Sequence, residues 1–130
     1  MAFVLEFDAR NNILRARVEG RVTDAVLLDC YASMARYVAS HSPCRGIADV
    51  SGVTKFDVSS NAIRQLAASP PALPDPYIRV FVAPQPHVYG MARMFQILGS
   101  NTRPNLHVVH TMDEAYHLLQ VESPEFSPVN

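Results

Sequence analysis

Polar and apolar residues alternate in two segments near the start of the chain, and this alternation predicts a β-hairpin. Apolar side chains occupy every second position over residues 3–7 and again over residues 14–18, which is the period of a strand with one buried face. The intervening Arg10-Asn11-Asn12 has turn chemistry, because asparagine tolerates the left-handed backbone conformation of tight turns. We expect Gly20 to end the hairpin.

Beyond the hairpin, segments with an apolar residue every three or four positions alternate with short apolar runs. The first pattern predicts amphipathic helices, and the second predicts buried strands. Three helices are predicted, starting at Thr23 or Asp24, at Ser59 or Ser60, and at Pro86, the last ending at Gly99. A fourth helix is opened by Thr111 and Glu114, which have the spacing of a capping box. Strands are predicted at residues 46–50, 77–83 and 106–109, with a loop after the first.

The order of these elements, β-β-α-β-α-β-α-β-α, predicts an α/β fold. Strands that alternate with helices favour right-handed crossovers and a parallel sheet. We therefore expect a mainly parallel five-stranded sheet with the antiparallel N-terminal hairpin at its edge, and four helices. Residues 69–76 contain four prolines and are predicted to form a stiff connection. Residues 1–121 are expected to form a single domain, and residues 122–130 a flexible C-terminal tail.

Composition and charge exclude several classes of protein. The 130 residues are 48% hydrophobic and 18% charged with a formal net charge of −1, which is typical of a globular domain. The basic residues form no stripe, so no nucleic-acid partner is expected. No apolar run is long enough for a transmembrane segment, and the first residues lack the pattern of a signal peptide. With two cysteines and no disulfide framework, we expect a cytoplasmic protein.

Polar residues follow the predicted central strands, and we expect them to meet at one edge of the sheet. Ligands of open α/β sheets bind beyond the carboxyl ends of the strands. The candidate partner or ligand surface at this edge consists of Asp49, Ser51, Asp57, Asn61, Gln85 and His87. Ser59 and Ser60 precede a helix whose N-terminus would favour an anion or a phosphorylated serine. Serines at this position are more often simple helix caps.

No combination of residues predicts an enzyme, a metal site or a cofactor. Asp49 and Asp57 bracket a short segment and are the candidates for acid–base chemistry, with His87 nearby, but no nucleophile accompanies them. The five histidines lack the spacing of a zinc site, and no phosphate-binding or dinucleotide-binding motif occurs. We therefore expect no catalytic activity, no metal and no cofactor. The apolar stripe of Met91, Met94 and Phe95 predicts core packing, with the wall of an apolar ligand pocket as the alternative.

Three stretches of the sequence resemble the STAS family, which includes bacterial anti-sigma-factor antagonists and sporulation stage II AA-like proteins. They are the 47–60 segment Ile-Ala-Asp-Val-Ser-Gly-Val-Thr-Lys-Phe-Asp-Val-Ser-Ser, the helix from Pro86 to Gly99, and the helix start at Asp113-Glu114-Ala115. The resemblance implies a phosphoacceptor serine directly after the loop aspartate. Here Val58 follows Asp57, and one inserted residue makes Ser59 or Ser60 the candidate phosphoacceptor.

The resemblance implies a non-enzymatic signalling module that docks on a protein partner through residues 51–63. The partner would be similar to an anti-sigma factor with kinase activity, and serine phosphorylation would switch the complex. An alternative is a small-molecule or lipid-binding domain, since the fold is also similar to that of SEC14-type domains. This alternative would place an apolar ligand between the third helix and the ends of the third and fourth strands. The oligomeric state is left open, with a homodimer through the edge hairpin as the candidate.

Overall fold

In the computed structural model, which describes residues 2–73 and 76–129, strands alternate with helices after an initial pair of strands, as the sequence predicts. The strands are β1 (Phe3–Asp8), β2 (Ile13–Thr23), β3 (Arg45–Asp57), β4 (Arg79–Val82), β5 (Leu106–Val109) and β6 (Ser127–Pro128). The helices are α1 (Asp24–Ser40), α2 (Ser60–Ala68), α3 (Pro86–Leu98) and α4 (Met112–Leu119). The predicted α/β class is therefore confirmed, and the nine predicted elements are followed by an additional strand, β6.

The strands form one mixed sheet in the order β5-β4-β3-β2-β1-β6. The four strands from β2 to β5 are parallel, and β1 is antiparallel to both of its neighbours. The predicted number of five strands is wrong for the described residues, because β6 adds a sixth. This two-residue strand lies within the predicted flexible tail and pairs with Glu6 and Phe7, so β1 is not the outermost strand at these positions.

Both β2 and β3 run further than the sequence predicts. Gly20 does not end β2: its backbone takes φ +74°, a conformation that suits glycine, and the strand continues to Thr23. The segment predicted as a loop after residue 50 is instead the second half of β3, which pairs with β2 as far as Asp57. Two register shifts between β2 and β3 accommodate extra residues of β3 as β-bulges.

Local capping interactions explain where the helices begin. The Thr23 hydroxyl accepts the backbone N–H of Val26 at the start of α1. At the start of α4, Thr111 and Glu114 satisfy each other's backbone N–H groups in the predicted capping box. Gly99 is the C-terminal cap of α3, as expected. No helix among the described residues has the length and apolar character needed to cross a lipid bilayer.

The sheet separates two apolar clusters. Helices α1, α2 and α3 pack on one face against residues such as Leu14, Ala16 and Val50. Helix α4 packs on the other face, where Ala115 and Leu119 cover Ile47, Val80 and Val82. This arrangement follows from the two-residue period of the strands, which turns successive side chains to opposite faces.

Side chains satisfy the backbone of β5 at the end of the sheet opposite β6. The Gln96 side-chain amide donates to the Leu106 carbonyl oxygen at 2.8 Å. The backbone N–H of His110, directly after β5, donates to the Glu114 carboxylate at 3.3 Å. Helices α3 and α4 therefore each provide one side chain that holds the ends of β5.

Candidate functional site

Gln85 fastens the second half of β3 to the start of α3. Strand β4 pairs with β3 only as far as Asp49, and beyond that point Gln85 replaces it. The Gln85 amide nitrogen lies 2.9 Å from the carbonyl oxygen of Val53, with longer contacts to those of Val50 and Ser51 at 3.4 and 3.3 Å. Of the six residues predicted to form a partner or ligand surface, Gln85 thus contacts the second half of β3 through backbone carbonyl groups.

Asp49 faces the opposite side of the sheet from the helix starts. It lies two residues after Ile47, which packs in the α4-side cluster. The backbone N–H and the hydroxyl of Ser51 both donate to its carboxylate, at 3.0 and 2.5 Å. This local turn-like bonding is the structural role that aspartate most often has.

Asp57 and His87 have contacts of their own, which differ from those of Asp49. Arg21 donates to the Asp57 carboxylate at 2.7 Å, and this hydrogen bond together with the guanidinium charge holds the pKa of Asp57 below its usual value. The exposed His87 ring lies edge-on to Phe56, with ring centroids 6.1 Å apart. The three residues considered for acid–base chemistry therefore have separate sets of contacts.

Ser59 joins the N-termini of α1 and α2. Its backbone N–H and its hydroxyl both donate to the Asp24 carboxylate, each at 2.8 Å. The same hydroxyl accepts the Ala62 backbone N–H at 3.1 Å and so caps α2. Ser60 and Asn61 are exposed in the first turn of α2. Of the two candidate phosphoacceptors, Ser59 is thus engaged in structural hydrogen bonds, and Ser60 is open to solvent.

A cavity of about 130 Å³ lies between the sheet and helices α1, α2 and α3, partly open to solvent. Its floor contains Gly46 and Ala48 of β3 beside Phe81 of β4. Gly46 has no side chain and Ala48 has only a methyl group, so the two residues leave space above β3. A Cβ atom at Gly46 would lie 2.9 Å from a methyl carbon of Leu73, so glycine permits the segment after α2 to close one end.

The roof of the cavity comes from all three helices. Each helix contributes apolar residues to it, among them Cys30 and Met34 from α1, Ile63 and Leu66 from α2, and Met91 and Phe95 from α3. Met91 and Phe95, predicted from the sequence to pack in the core or alternatively to form the wall of an apolar pocket, both lie in this lining. Met94 packs in the surrounding apolar cluster. The small residues at positions 46 and 48 are the sequence signal from which the cavity could have been predicted.

Arg103 holds the C-terminal end of α2 at one end of the cavity. Only 4% of its surface is exposed, and burial lowers the pKa of its guanidinium. The guanidinium lies 4.8 Å from the centre of the Phe95 ring. It donates to the carbonyl oxygens of Leu66, Ala67, Ser69 and Pro70 and to the Thr102 hydroxyl, at 3.0–3.4 Å. The cation thus caps the negative end of the helix dipole.

The buried cysteine in the lining is a protonated thiol. Burial raises the pKa of Cys30 to about 12, with a contribution from the charge of Asp29. Burial also raises the pKa of Cys44. Because the thiolate is the nucleophilic form of cysteine, Cys30 is inert at neutral pH.

Charged side chains occupy the other face of the sheet where α4 does not cover it. The buried Glu6 carboxylate accepts hydrogen bonds from Arg15 at 3.0 Å and from Arg17 at 3.2 Å. The Arg15 guanidinium also lies 4.0 Å from the centre of the Phe126 ring, in the segment before β6. These contacts attach the C-terminal segment to the sheet. Among the described residues, no group of three or more acidic, histidine or cysteine side chains is arranged to hold a metal ion.

The geometry defines an α/β domain with an apolar cavity on one face of a mixed sheet. Comparison with models of protein families, with curated proteins and with solved structures finds no match. The resemblance to the STAS family therefore stays a prediction from sequence.

Proposed function

We propose that this protein binds a small apolar molecule in the cavity beneath α1, α2 and α3 and does not convert it chemically. The proposal rests on the incomplete burial of Ala48 and Phe81, which are neighbours on the interior strands β3 and β4. Both are only partly buried. Interior strands of close-packed domains normally have their side chains fully covered. A ligand in the cavity would complete the packing.

The size and lining of the cavity support this proposal. An apolar cavity of about 150 Å³ is known to bind benzene, so a volume of about 130 Å³ suits a compact molecule of about six to eight non-hydrogen atoms. The two methionines in the lining adapt their shape to different ligands. The partial opening to solvent provides a route for exchange.

The chemistry of the lining supports binding without catalysis. Cys30, the one cysteine of the lining, is held as a thiol by its raised pKa. Asp49, Asp57 and His87 lie outside the lining. Most of the other lining side chains are apolar, the polar ones being Tyr31, Arg79 and Arg103. A bound molecule would therefore meet no carboxylate or imidazole that could act as a general base.

Methyl NMR tests this function. In protein labelled with ¹³C at the methionine methyl groups, Met34 and Met91 report on the cavity, while Met112 packs on the opposite face of the sheet. Toluene is the probe. We expect saturable shifts of the Met34 and Met91 signals and no shift of the Met112 signal. Absence of saturable shifts at both lining methionines, or equal shifts at all three, would contradict the proposal.

A second candidate function is a protein-interaction module of the anti-sigma-factor-antagonist type, switched by phosphorylation at Ser59. The hydrogen bonds from Ser59 to Asp24 favour it, because a phosphate there would remove the donated proton and place a second negative charge beside the carboxylate. The start of α2 would then separate from α1 and change the surface of residues 51–63. The partner would be a protein with kinase activity.

Mass spectrometry of protein purified from its own host tests the switch. A phosphoryl group on Ser59, and a co-purifying protein that is lost from a Ser59→Ala variant, would support it. Modification of Ser60 alone, or unmodified protein with no Ser59-dependent partner, would contradict it. Ser60→Ala is the matched control, because Ser60 does not join the two helices.

We also propose a cytoplasmic location. Cys30 and Cys44 are both free thiols, a state favoured by the reducing conditions of the cytoplasm. Fractionation of the host cells, with detection of the protein by antibody, tests the location. Recovery from an extracytoplasmic fraction would contradict it.

A further inference from the structure

We infer that the molecule bound in the cavity carries no charge and belongs to the class of compact neutral hydrocarbons, such as alkylbenzenes. This inference rests on the proposed function, since it concerns the same cavity. It depends on the only charged side chains in the described lining, those of Arg79 and Arg103. Both arginines are more than nine-tenths buried, with 7% and 4% of their surfaces exposed.

The terminal nitrogens of Arg103 are occupied by the protein itself. A guanidinium has five N–H donors. The two terminal nitrogens of Arg103, which carry four of these donors, contact five oxygen atoms, four of them backbone carbonyls around the end of α2. A ligand carboxylate could bind here only by displacing these carbonyls, which would then be buried without partners.

Arg79, the other charged residue of the lining, also bonds to the backbone of a segment beside the cavity. One of its terminal nitrogens donates to the Leu73 carbonyl oxygen at 2.8 Å. Leu73 belongs to the segment that closes the cavity beside Gly46. Both guanidinium groups therefore hold backbone segments in place around the ligand space.

The remaining lining disfavours charged ligands of either sign. Apart from the two arginines, the described lining consists of apolar side chains, the Cys30 thiol and the Tyr31 hydroxyl. The guanidinium charges attract a carboxylate, but the terminal N–H groups of Arg103 are already bonded, and a buried charge with too few hydrogen bonds is costly. An ammonium group would in addition be repelled by two buried guanidinium cations. Neutral molecules avoid both costs, and their burial is favourable in proportion to apolar area.

Three probes of similar size and different charge test the inference. Toluene, benzoate and benzylamine are titrated into the labelled wild-type protein at pH 7, with the Met34 and Met91 methyl signals as the readout. We expect benzoate and benzylamine to bind at least about tenfold more weakly than toluene. The affinity of benzoate should also rise by about tenfold for each pH unit by which the pH is lowered from 7 to 5, because only its protonated form enters the cavity. Toluene affinity should not change over this range.

The outcomes separate the two proposals. Benzoate that binds as tightly as toluene, with an affinity that is constant or falls on acidification, would overturn the inference and leave the cavity function intact. Benzylamine that binds as tightly as toluene would do the same. If none of the three probes shifts the lining methionines, the proposed function and the inference both fail.

Discussion

Asp24, the first residue of α1, accepts two hydrogen bonds from Ser59, the residue before α2. The two residues are 35 positions apart in the sequence, so this pair joins helices that the chain alone does not bring together. Both helices also line the cavity. The pair therefore helps to fix the relative position of two of the three helices that form the cavity roof.

Ser59→Ala should destabilise the protein by about 1 kcal/mol, because α2 loses its N-cap and Asp24 loses a donor. Urea unfolding measures the change in the free energy of unfolding. Ser60→Ala is the control, since Ser60 is exposed and should change stability by less than about 0.5 kcal/mol. Equal effects of the two substitutions would show that the contact with Asp24 and the cap contribute nothing.

Ala48→Leu should abolish toluene binding, because the larger side chain extends from the cavity floor into the ligand space. The free energy of unfolding should change by less than about 1.5 kcal/mol, since the added methyl groups enter existing space. Ala68→Leu adds the same atoms at an exposed position of α2 and should leave binding unchanged. Persistence of the Met34 and Met91 shifts in the Ala48→Leu variant would place the ligand elsewhere.

Arg103→Leu should lower the free energy of unfolding by about 3 kcal/mol or more. The substitution leaves carbonyl oxygens at the end of α2 buried without their donor. Guanidinium chloride unfolding measures the loss, and Arg64→Leu, at an exposed position of α2, is the matched control. A loss below about 1 kcal/mol would contradict the role assigned to Arg103 as the C-terminal cap.

Stability should fall as the pH rises above 9. The pKa of Cys30 is raised from 9.0 to about 12 by burial, so the thiol favours folding below pH 9 and this contribution is lost between pH 9 and pH 12. The unfolded chain releases its proton first, which lowers the free energy of unfolding by about 1.4 kcal/mol per pH unit for this one group. Burial also raises the pKa of Cys44, so this thiol contributes to the pH dependence in the same direction.

Urea midpoints between pH 7 and pH 11 measure this dependence. Cys30→Ala removes the titrating group and should make the loss of stability above pH 9 shallower than in the wild-type protein. If the two proteins lose stability at the same rate over this interval, Cys30 does not cause the alkaline loss.

Local patterns in the sequence were sufficient for most elements of the fold. Alternation over residues 3–7 predicted β1, and the candidate caps (Thr23 or Asp24, Ser59 or Ser60, and Thr111) placed three helix starts to within one residue. These signals work because the interactions behind them lie within four residues. The second half of β3 was missed because its residues are mostly exposed, and pairing with the distant β2 determines its conformation.

The cavity depends on relationships that a local pattern does not contain. Gly46 and Ala48 were correctly predicted to lie on a buried strand, but the space above them is set by three helices from different parts of the chain. Arg103 reaches carbonyl groups 33 to 37 positions earlier. Strand β6 was missed for a related reason: it is two residues long, contains Pro128, and forms only by pairing with β1.

The side chains that bond to backbone groups at the open edge of β5 also affect how copies of this molecule behave at high concentration. An open sheet ends in a strand that can template the addition of a strand from another molecule. Here Gln96 occupies the carbonyl group of Leu106, and Glu114 occupies the N–H group of His110. An incoming strand would have to displace both side chains before it could pair along β5. This edge is therefore protected against the intermolecular sheet growth that leads to fibrils and precipitation.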